Sequence, residues 1–378
     1  MQETSSIVGR GNREGASLLR GWFQSLDQAA NRGERAAYVF VMGSMNELLK
    51  SFDMHISFPE ITSLQLAVRH VAHEYLQEAE DYGYSPDICG YVKSDVAVQL
   101  RKGAHPMGRI PKPNLTVFTN ACNTYIKWAE IWERFHQIPI CTLDIPGHRQ
   151  LGLHTSPGQT RFEEDRTYVE VQIKELISTL EEVSGKKFDI DKLRERLHYS
   201  NQMSLSWARL LELNRNTPSV YNALTDGTIF LGVANGFRGT KEGADYFANL
   251  VEEMEYKVAN GIGTTTNEEH RLAFVGVPCY PIFRRFNEIF SQWGGTFVQS
   301  TYLWFASGSP LSGRHSLTGA CPSCGALSQP KLTGTRKNVG GLVGPVLMRY
   351  DRGLFTKEDD RAVPFELLPA ILRGEQFA

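Results

Sequence analysis

The chain has 378 residues, 41% hydrophobic and 22% charged, with a formal net charge of −2. Its size predicts two domains of roughly 150 residues with sizeable cores. The near-neutral balance offers no basic field to a phosphate backbone, so nucleic acid is not an expected partner. Apolar runs such as Ala36–Met42 fall far short of the ~20 residues that span a bilayer. The polar N-terminus has no apolar signal core. A cytoplasmic protein without membrane partners is therefore expected.

Residues 1–34 are polar and partly helical, with Leu18, Leu19, Trp22, Phe23 and Leu26 on one face. Ala36–Met42 reads as a strand buried on both faces, because it is apolar without alternation. Gly43-Ser44 turns it into a helix with Met45, Leu48, Leu49 and Phe52 inward. One long amphipathic helix is predicted over Ser63–Tyr82, stopped by Gly83. The Ser85–Lys93 stretch around Cys89 follows, then a Pro/Gly-rich loop over His105–Pro113. Leu115–Thr119, Asn123–Phe135 and Ile138–Leu143 form a strand–helix–strand unit with parallel pairing.

Arg161–Ser184 has the period of a long helix, and Asp191 is placed to cap another that runs to about Asn214. Residues 222–260 are mostly helical, with Gly232 and Gly236 as interruptions. The strand–helix–strand plan then repeats over Leu272–Val277, Pro281–Trp293 and Thr296–Phe305. From Gly308 to Pro345 the chain is crowded with Gly, Ser, Pro and Thr, and no acidic residue occurs between Glu288 and Asp351. Either this is a natural flexible loop or the native reading frame ends near Ser307.

The fold class expected is α/β: two Rossmann-like or flavodoxin-like parallel-sheet domains joined by a helical connector, with the C-terminal domain incomplete. The expected boundaries are a helical leader at 1–34, a first α/β domain at 35–160, the connector at 161–265, and a second α/β domain at 266–378 that is irregular from about 308.

Chemistry centres on six cysteines, expected as thiols in a chain of this size and context. Cys89 and Cys122 are too far apart in sequence for a metal-knuckle pair. Cys122, however, sits at the carboxyl end of a predicted parallel strand, where open α/β sheets place ligands. The competing reading is two small buried hydrophobes. Cys141 lies inside an apolar strand, as a core thiol would, and Cys279 follows a strand, where it either packs or lines a pocket. Cys321 and Cys324 form one Cys-Pro-Ser-Cys pair, whereas a zinc ribbon needs two. No phosphate-binding Gly-rich Lys-Ser/Thr loop exists, so no nucleotide hydrolysis is expected. His70 and His73, three apart on the predicted helix, are read as a solvated face and not as metal ligands.

Gly43–Leu49, Phe58-Pro59-Glu60, Asp87–Lys93 around Cys89, Asn120–Tyr125 around Cys122, Leu143–Pro146, Gly276–Cys279 and Tyr302–Ser307 occur in an order that resembles the benzoyl-CoA reductase / 2-hydroxyacyl-CoA dehydratase family over roughly residues 35–307. The resemblance implies two α/β domains and a [4Fe–4S] cluster held by three cysteines. It also implies pairing with a related cluster-binding subunit, a CoA thioester substrate, and ATP-hydrolysing activator subunits with ferredoxin as the electron source. By motif, Cys89 and Cys122 become two cluster ligands. Cys321 or Cys324 is left as a substitute for the third, whose usual surroundings are missing here. Glu60 becomes either a polar group near the substrate pocket or a carboxylate capping its helix. The wording around Glu60 and Cys89 is nearer the reductase branch, in its smaller cluster-bearing subunit. The alternatives are a dehydratase subunit, or a zinc-stabilised or truncated member without activity.

Overall fold

The computed structural model describes residues 7–41, 45–145, 160–300, 303 and 346–350. The chain divides into two compact units. One comprises Ser17–His198 with Asn235–Gly239, and the other Met1–Ala16, Tyr199–Ala234 and Thr240–Ala378.

The elements follow in chain order. They are α1 (Arg10–Arg32), β1 (Ala36–Val39), α2 (Asn46–Ser51), β2 (His55–Ser57), α3 (Pro59–Val68), α4 (Ala72–Asp81), α5 (Gly90–Leu100), β3 (Leu115–Thr119), α6 (Asn123–His136) and β4 (Ile140–Leu143). Next come α7 (Thr160–Ser184), α8 (Ile190–Leu213), α9 (Asp226–Gly236), α10 (Lys241–Ala259), β5 (His270–Val275), α11 (Phe283–Ser291), β6 (Gly295–Ser300) and β7 (Val346–Tyr350). The α/β class read from the sequence is thus the observed one.

In the Ser17–His198 unit the sheet order is β2-β1-β3-β4, and every pairing is parallel. Ala37 stands opposite both Ile56 and Leu115, so β1 is central. Its four residues are all buried, as are the five of β3, which explains why their sequences show no alternation. Just past β1, Phe40 stacks on Tyr125 at 3.7 Å and 7°, and on Trp132 at 5.2 Å. It also meets Phe118 edge-on. These rings fix α6 against the sheet, since offset-stacked and edge-to-face aromatic pairs add to the burial energy.

In the other unit the sheet order is β6-β5-β7. β5 and β6 are parallel, but β7 joins the free edge of β5 in antiparallel sense. That strand lies in the stretch expected to be irregular, and its sense departs from the all-parallel expectation. Phe286 and Phe290 of α11 pack on Phe297 of β6. Glu253 of α10, 1% exposed, accepts hydrogen bonds from the backbone N–H groups of Gly9 and Gly11. These are orphan donors at the start of α1, and a carboxylate satisfies them well.

Several local expectations change. The single helix predicted over Ser63–Tyr82 is two helices, because His70 takes a left-handed φ of 60°. The N–H groups of His70 and Val71 then close back on the carbonyls of Ala67 and Leu66, ending α3. His70 and His73 therefore do not share a helix face. β2 went unpredicted because three residues are too few to show a period. α5 went unpredicted because Val92–Gln99 are all buried, leaving no polar face to mark its turns. Asp189, not Asp191, caps α8, accepting from the N–H groups of Asp191 and Lys192. Gly232 lies inside α9 and only Gly236 ends it.

Phe40 is 1% exposed at the centre of this aromatic cluster. Phe40→Ala is expected to lower stability by about 3–5 kcal/mol, through lost burial and the cavity left behind. Urea unfolding midpoints of the two proteins check this.

Candidate functional site

The order β2-β1-β3-β4 reverses direction between β1 and β3, and in open parallel sheets ligands bind outside the carboxyl ends of strands at such a point. Near the end of β1 Glu60 and Tyr125 are hydrogen-bonded to one another, and Cys89 and Cys122 stand at the starts of α5 and α6.

Glu60 is the second residue of α3, directly after Pro59 at the helix start. It does not cap its own helix, which has no side-chain cap bond. Its carboxylate reaches across the sheet end instead. The backbone N–H of Val41, just past β1, donates to Oε2 at 2.8 Å. The hydroxyl of Tyr125, in the first turn of α6, donates to Oε1 at 3.0 Å. Glu60 is 7% exposed, and burial pushes its carboxyl up to about 7, with the two donated hydrogen bonds acting the other way. It is thus a carboxyl that exchanges a proton near neutrality. Burial likewise raises Tyr125, and the negative charge of Glu60 and of the Cys122 and Cys89 sulfurs adds to the effect, so the phenol keeps its proton and acts as a donor.

Both cysteines occupy helix N-cap positions, Cys89 before α5 and Cys122 before α6. Neither uses its sulfur as a cap acceptor, although Ser, Thr, Asp or Asn ordinarily do so at this position. Cys89 is exposed and Cys122 half-buried.

The two helices run in the same direction. Asp95 of α5 accepts from the indole N–H groups of Trp128 and Trp132 of α6 at 2.7 and 2.6 Å, and further along His136 of α6 meets Gln99 of α5 at 2.8 Å. Partners that advance together along both helices define parallel packing. Asp95 lies six residues after Cys89, and Trp128 lies six after Cys122. Asp95 also bonds Trp132, ten residues after Cys122, and Gln99, ten after Cys89, meets His136, fourteen after Cys122, so the cross-helix bonds span offsets of zero to four residues, up to about 6 Å at a rise of about 1.5 Å per residue. Each thiol thus stands at the positive end of its own helix, and the two helices are bonded to one another further along.

The remaining sequence candidates are dispersed. Cys321 and Cys324 lie outside the described residues. Among the described residues, no group of three or more His, Cys, Asp or Glu side chains is placed to hold a metal ion. Cys141 is half-buried in β4, where burial pushes its thiol up. Cys279 is exposed after β5, so it does not pack in a core. His55 pairs with Glu34 at 2.7 Å. Among the described residues no helix is long and apolar enough to cross a membrane.

Sequence reasoning assigned no role to Tyr125, Asp95, Trp128 or Trp132. The signals were present but slight: an aspartate inside the run from Val92 to Val98, and two tryptophans four apart on the next helix.

An open parallel sheet of order β2-β1-β3-β4, with cysteines at the N-cap positions of α5 and α6, defines the class of this unit. Comparison with known proteins is consistent with that class and more specific. A family model described as "2-hydroxyglutaryl-CoA dehydratase, D-component" matches residues 43–312, and the chain belongs to this family, the benzoyl-CoA reductase / 2-hydroxyacyl-CoA dehydratase family that the sequence motifs resemble. It is 32% identical over 296 residues to a benzoyl-CoA reductase subunit of Thauera aromatica, covering 75% of this chain and 66% of that protein. It is 29% identical to the (R)-phenyllactyl-CoA dehydratase alpha subunit of Clostridium sporogenes, covering 73% of this chain and 65% of that one. It is 24% identical to the alpha subunit of the (R)-2-hydroxyglutaryl-CoA dehydratase of Acidaminococcus fermentans, covering 68% of each. The chain spans about two thirds of the length of the curated relatives it matches.

The Glu60 carboxyl carries a pH signature. Its pKa rises from 4.5 to about 7 on folding, so the folded chain holds that proton more tightly than the unfolded one. Its contribution is fully present below about pH 4.5 and is lost as pH rises through about 7, by roughly 3 kcal/mol in all. Glu60→Gln removes this titration. The unfolding free energy of the wild type relative to the variant is expected to fall between about pH 5 and about pH 8. Urea titrations at both pH values check it, and a constant difference would count against the assignment.

Proposed function

We propose that this chain is the cluster-carrying subunit of an ATP-dependent benzoyl-CoA reductase, a cytoplasmic enzyme that acts on an aromatic CoA thioester under anoxia. The observation that carries this reading is that cysteines occupy the N-cap positions of two parallel, hydrogen-bonded helices, in a chain 32% identical to a benzoyl-CoA reductase subunit.

The donor set suits an iron–sulfur cluster. Thiolates are its usual ligands, and a cluster with its thiolates is anionic, as the ends of α5 and α6 favour. Cys89 and Cys122 would supply two ligands of a [4Fe–4S] cluster, with Cys321 the candidate for the third. When bound, the cluster supplies low-potential electrons to the thioester. Glu60 holds or releases a proton at its Oε atoms near the acyl group, and Tyr125 and the Val41 N–H keep that carboxyl oriented. The buried wall of Phe40, Phe118 and Tyr125 behind them excludes water. The activity needs a related cluster-binding subunit, ATP-hydrolysing activator subunits and ferredoxin as the electron source.

A second reading is a subunit of a (R)-2-hydroxyacyl-CoA dehydratase. It is favoured by the description of the matching family model and by the dehydratase relatives. A base poised near neutrality suits loss of a proton and water as well as it suits proton delivery to a ring.

Two measurements test these readings. Anaerobically purified protein is expected to carry about four iron and four acid-labile sulfide per chain, and Cys89→Ala or Cys122→Ala to reduce both to near background. Zinc in place of iron would mean a structural metal site instead. With partner subunits, reductant and ATP, benzoyl-CoA is expected to be dearomatised; a 2-enoyl-CoA formed only from a hydroxyacyl-CoA would select the dehydratase. Glu60→Gln is expected to keep its iron and lose about 100-fold in kcat.

A further inference from the structure

Asp95 is a carboxyl in an apolar core, 2% exposed, and burial pushes its pKa upward. All of its partners donate. Gln99 Nε2 donates to Oδ1 at 2.9 Å, and the indole N–H groups of Trp128 and Trp132 donate to Oδ2. The amide of Gln99 is held in turn. Its Oε1 accepts from the Nε2 of His136 at 2.8 Å, and its Nε2 also lies 3.3 Å from the Tyr38 hydroxyl, which donates to the carbonyl of Pro111. A carboxylate surrounded by three donors is satisfied as an acceptor, whereas a carboxylic acid here has no acceptor for its own O–H. The hydrogen bonds thus favour the charged form that burial opposes.

The network has a direction. Every bond from Asp95 and Gln99 to α6 crosses from the helix that Cys89 caps to the helix that Cys122 caps. Hydrophobic packing alone lets two parallel helices slide and rotate, because dispersion contacts are individually weak and non-directional. Two short bonds from one oxygen to indoles four residues apart do not permit a slide without leaving a buried donor or acceptor unpaired. We propose that Asp95 is a positioning residue, which fixes the relative register of α5 and α6 and so sets the distance between the Cys89 and Cys122 sulfurs. This rests on the reading of those two thiols as ligands of one cofactor, and it makes Asp95 a residue on which that site depends without touching it.

The test reads the thiols directly, without any cofactor. Full-length protein with Cys141, Cys279, Cys321 and Cys324 replaced by serine is treated with dibromobimane, which fluoresces strongly only when it bridges two nearby thiols. Bridging of Cys89 to Cys122 is expected in this background. Asp95→Asn turns an amide N–H₂ toward either Gln99 or the indoles, and is expected to slow bridging about tenfold, because the second alkylation depends on thiol alignment. Adding Gln99→Glu restores a matched acceptor opposite the new amide, and is expected to recover most of the rate. Far-ultraviolet circular dichroism confirms that each variant is folded. Should Asp95→Asn fail to fold, Trp128→Phe and Trp132→Phe each remove one indole donor, and slower bridging in them carries the same meaning. Unchanged bridging in the folded Asp95→Asn variant, or in both tryptophan variants, overturns the positioning role while leaving the cluster reading intact. Absence of bridging in the parent background overturns the cluster reading itself, and the proposed role of Asp95 with it.

Discussion

A single carboxylate, that of Asp95, joins the two helices on which the candidate site is built. It holds two indoles of the neighbouring helix from one oxygen and a glutamine of its own helix from the other. Because α5 and α6 are parallel, both N-caps lie at the same end of the helix pair. Each N-cap is a cysteine. In the proposed arrangement the spacing of these cysteines is set by a bond buried in the core, away from the chemistry. Buried polar groups of this kind are stabilising only when every partner is present, and then they specify one arrangement over its near neighbours.

The second element is the Glu60 carboxyl, which ties the end of β1 to the start of the helix after β3. Its two hydrogen bonds are too few to offset complete burial, so the group titrates near neutrality. Tyr125 interacts with this carboxyl by a hydrogen bond and with the thiols electrostatically. It donates to one and is raised electrostatically by the others, so a change of charge at the sulfurs is felt by the phenol that orients Glu60. Stacked flat on Phe40, the tyrosine ring has little freedom to turn away. The site is thus a small electrostatic assembly with a rigid aromatic wall.

Much of the fold was legible in the chain. β1, β3, α6, β4, α7 and β5 follow runs of apolar residues or clear helical periods, since burial on one face or two leaves its mark in the order of side chains. The failures have equally physical causes. α5 is buried all round and so has no period, although it carries Asp95, which bonds both tryptophans of α6. The break at His70 is a left-handed turn that no glycine announces. β7 pairs with β5 across a long separation in sequence, and nothing local marks that edge. For the site, the motifs singled out Glu60, Cys89 and Cys122, but not the partners that orient them.

Read alone, the chain carried the α/β class, the family, and a cysteine, Cys122, where a strand gives way to a helix. These are properties of composition, periodicity and local motif. The fold was needed to show that Glu60 bonds to Val41 and Tyr125 and does not cap its own helix, and that Asp95 reaches two tryptophans far along the chain. The reason is that burial and hydrogen bonding between distant segments depend on how the strands are ordered. The same carboxylate left in water would have an ordinary pKa and no partner to hold.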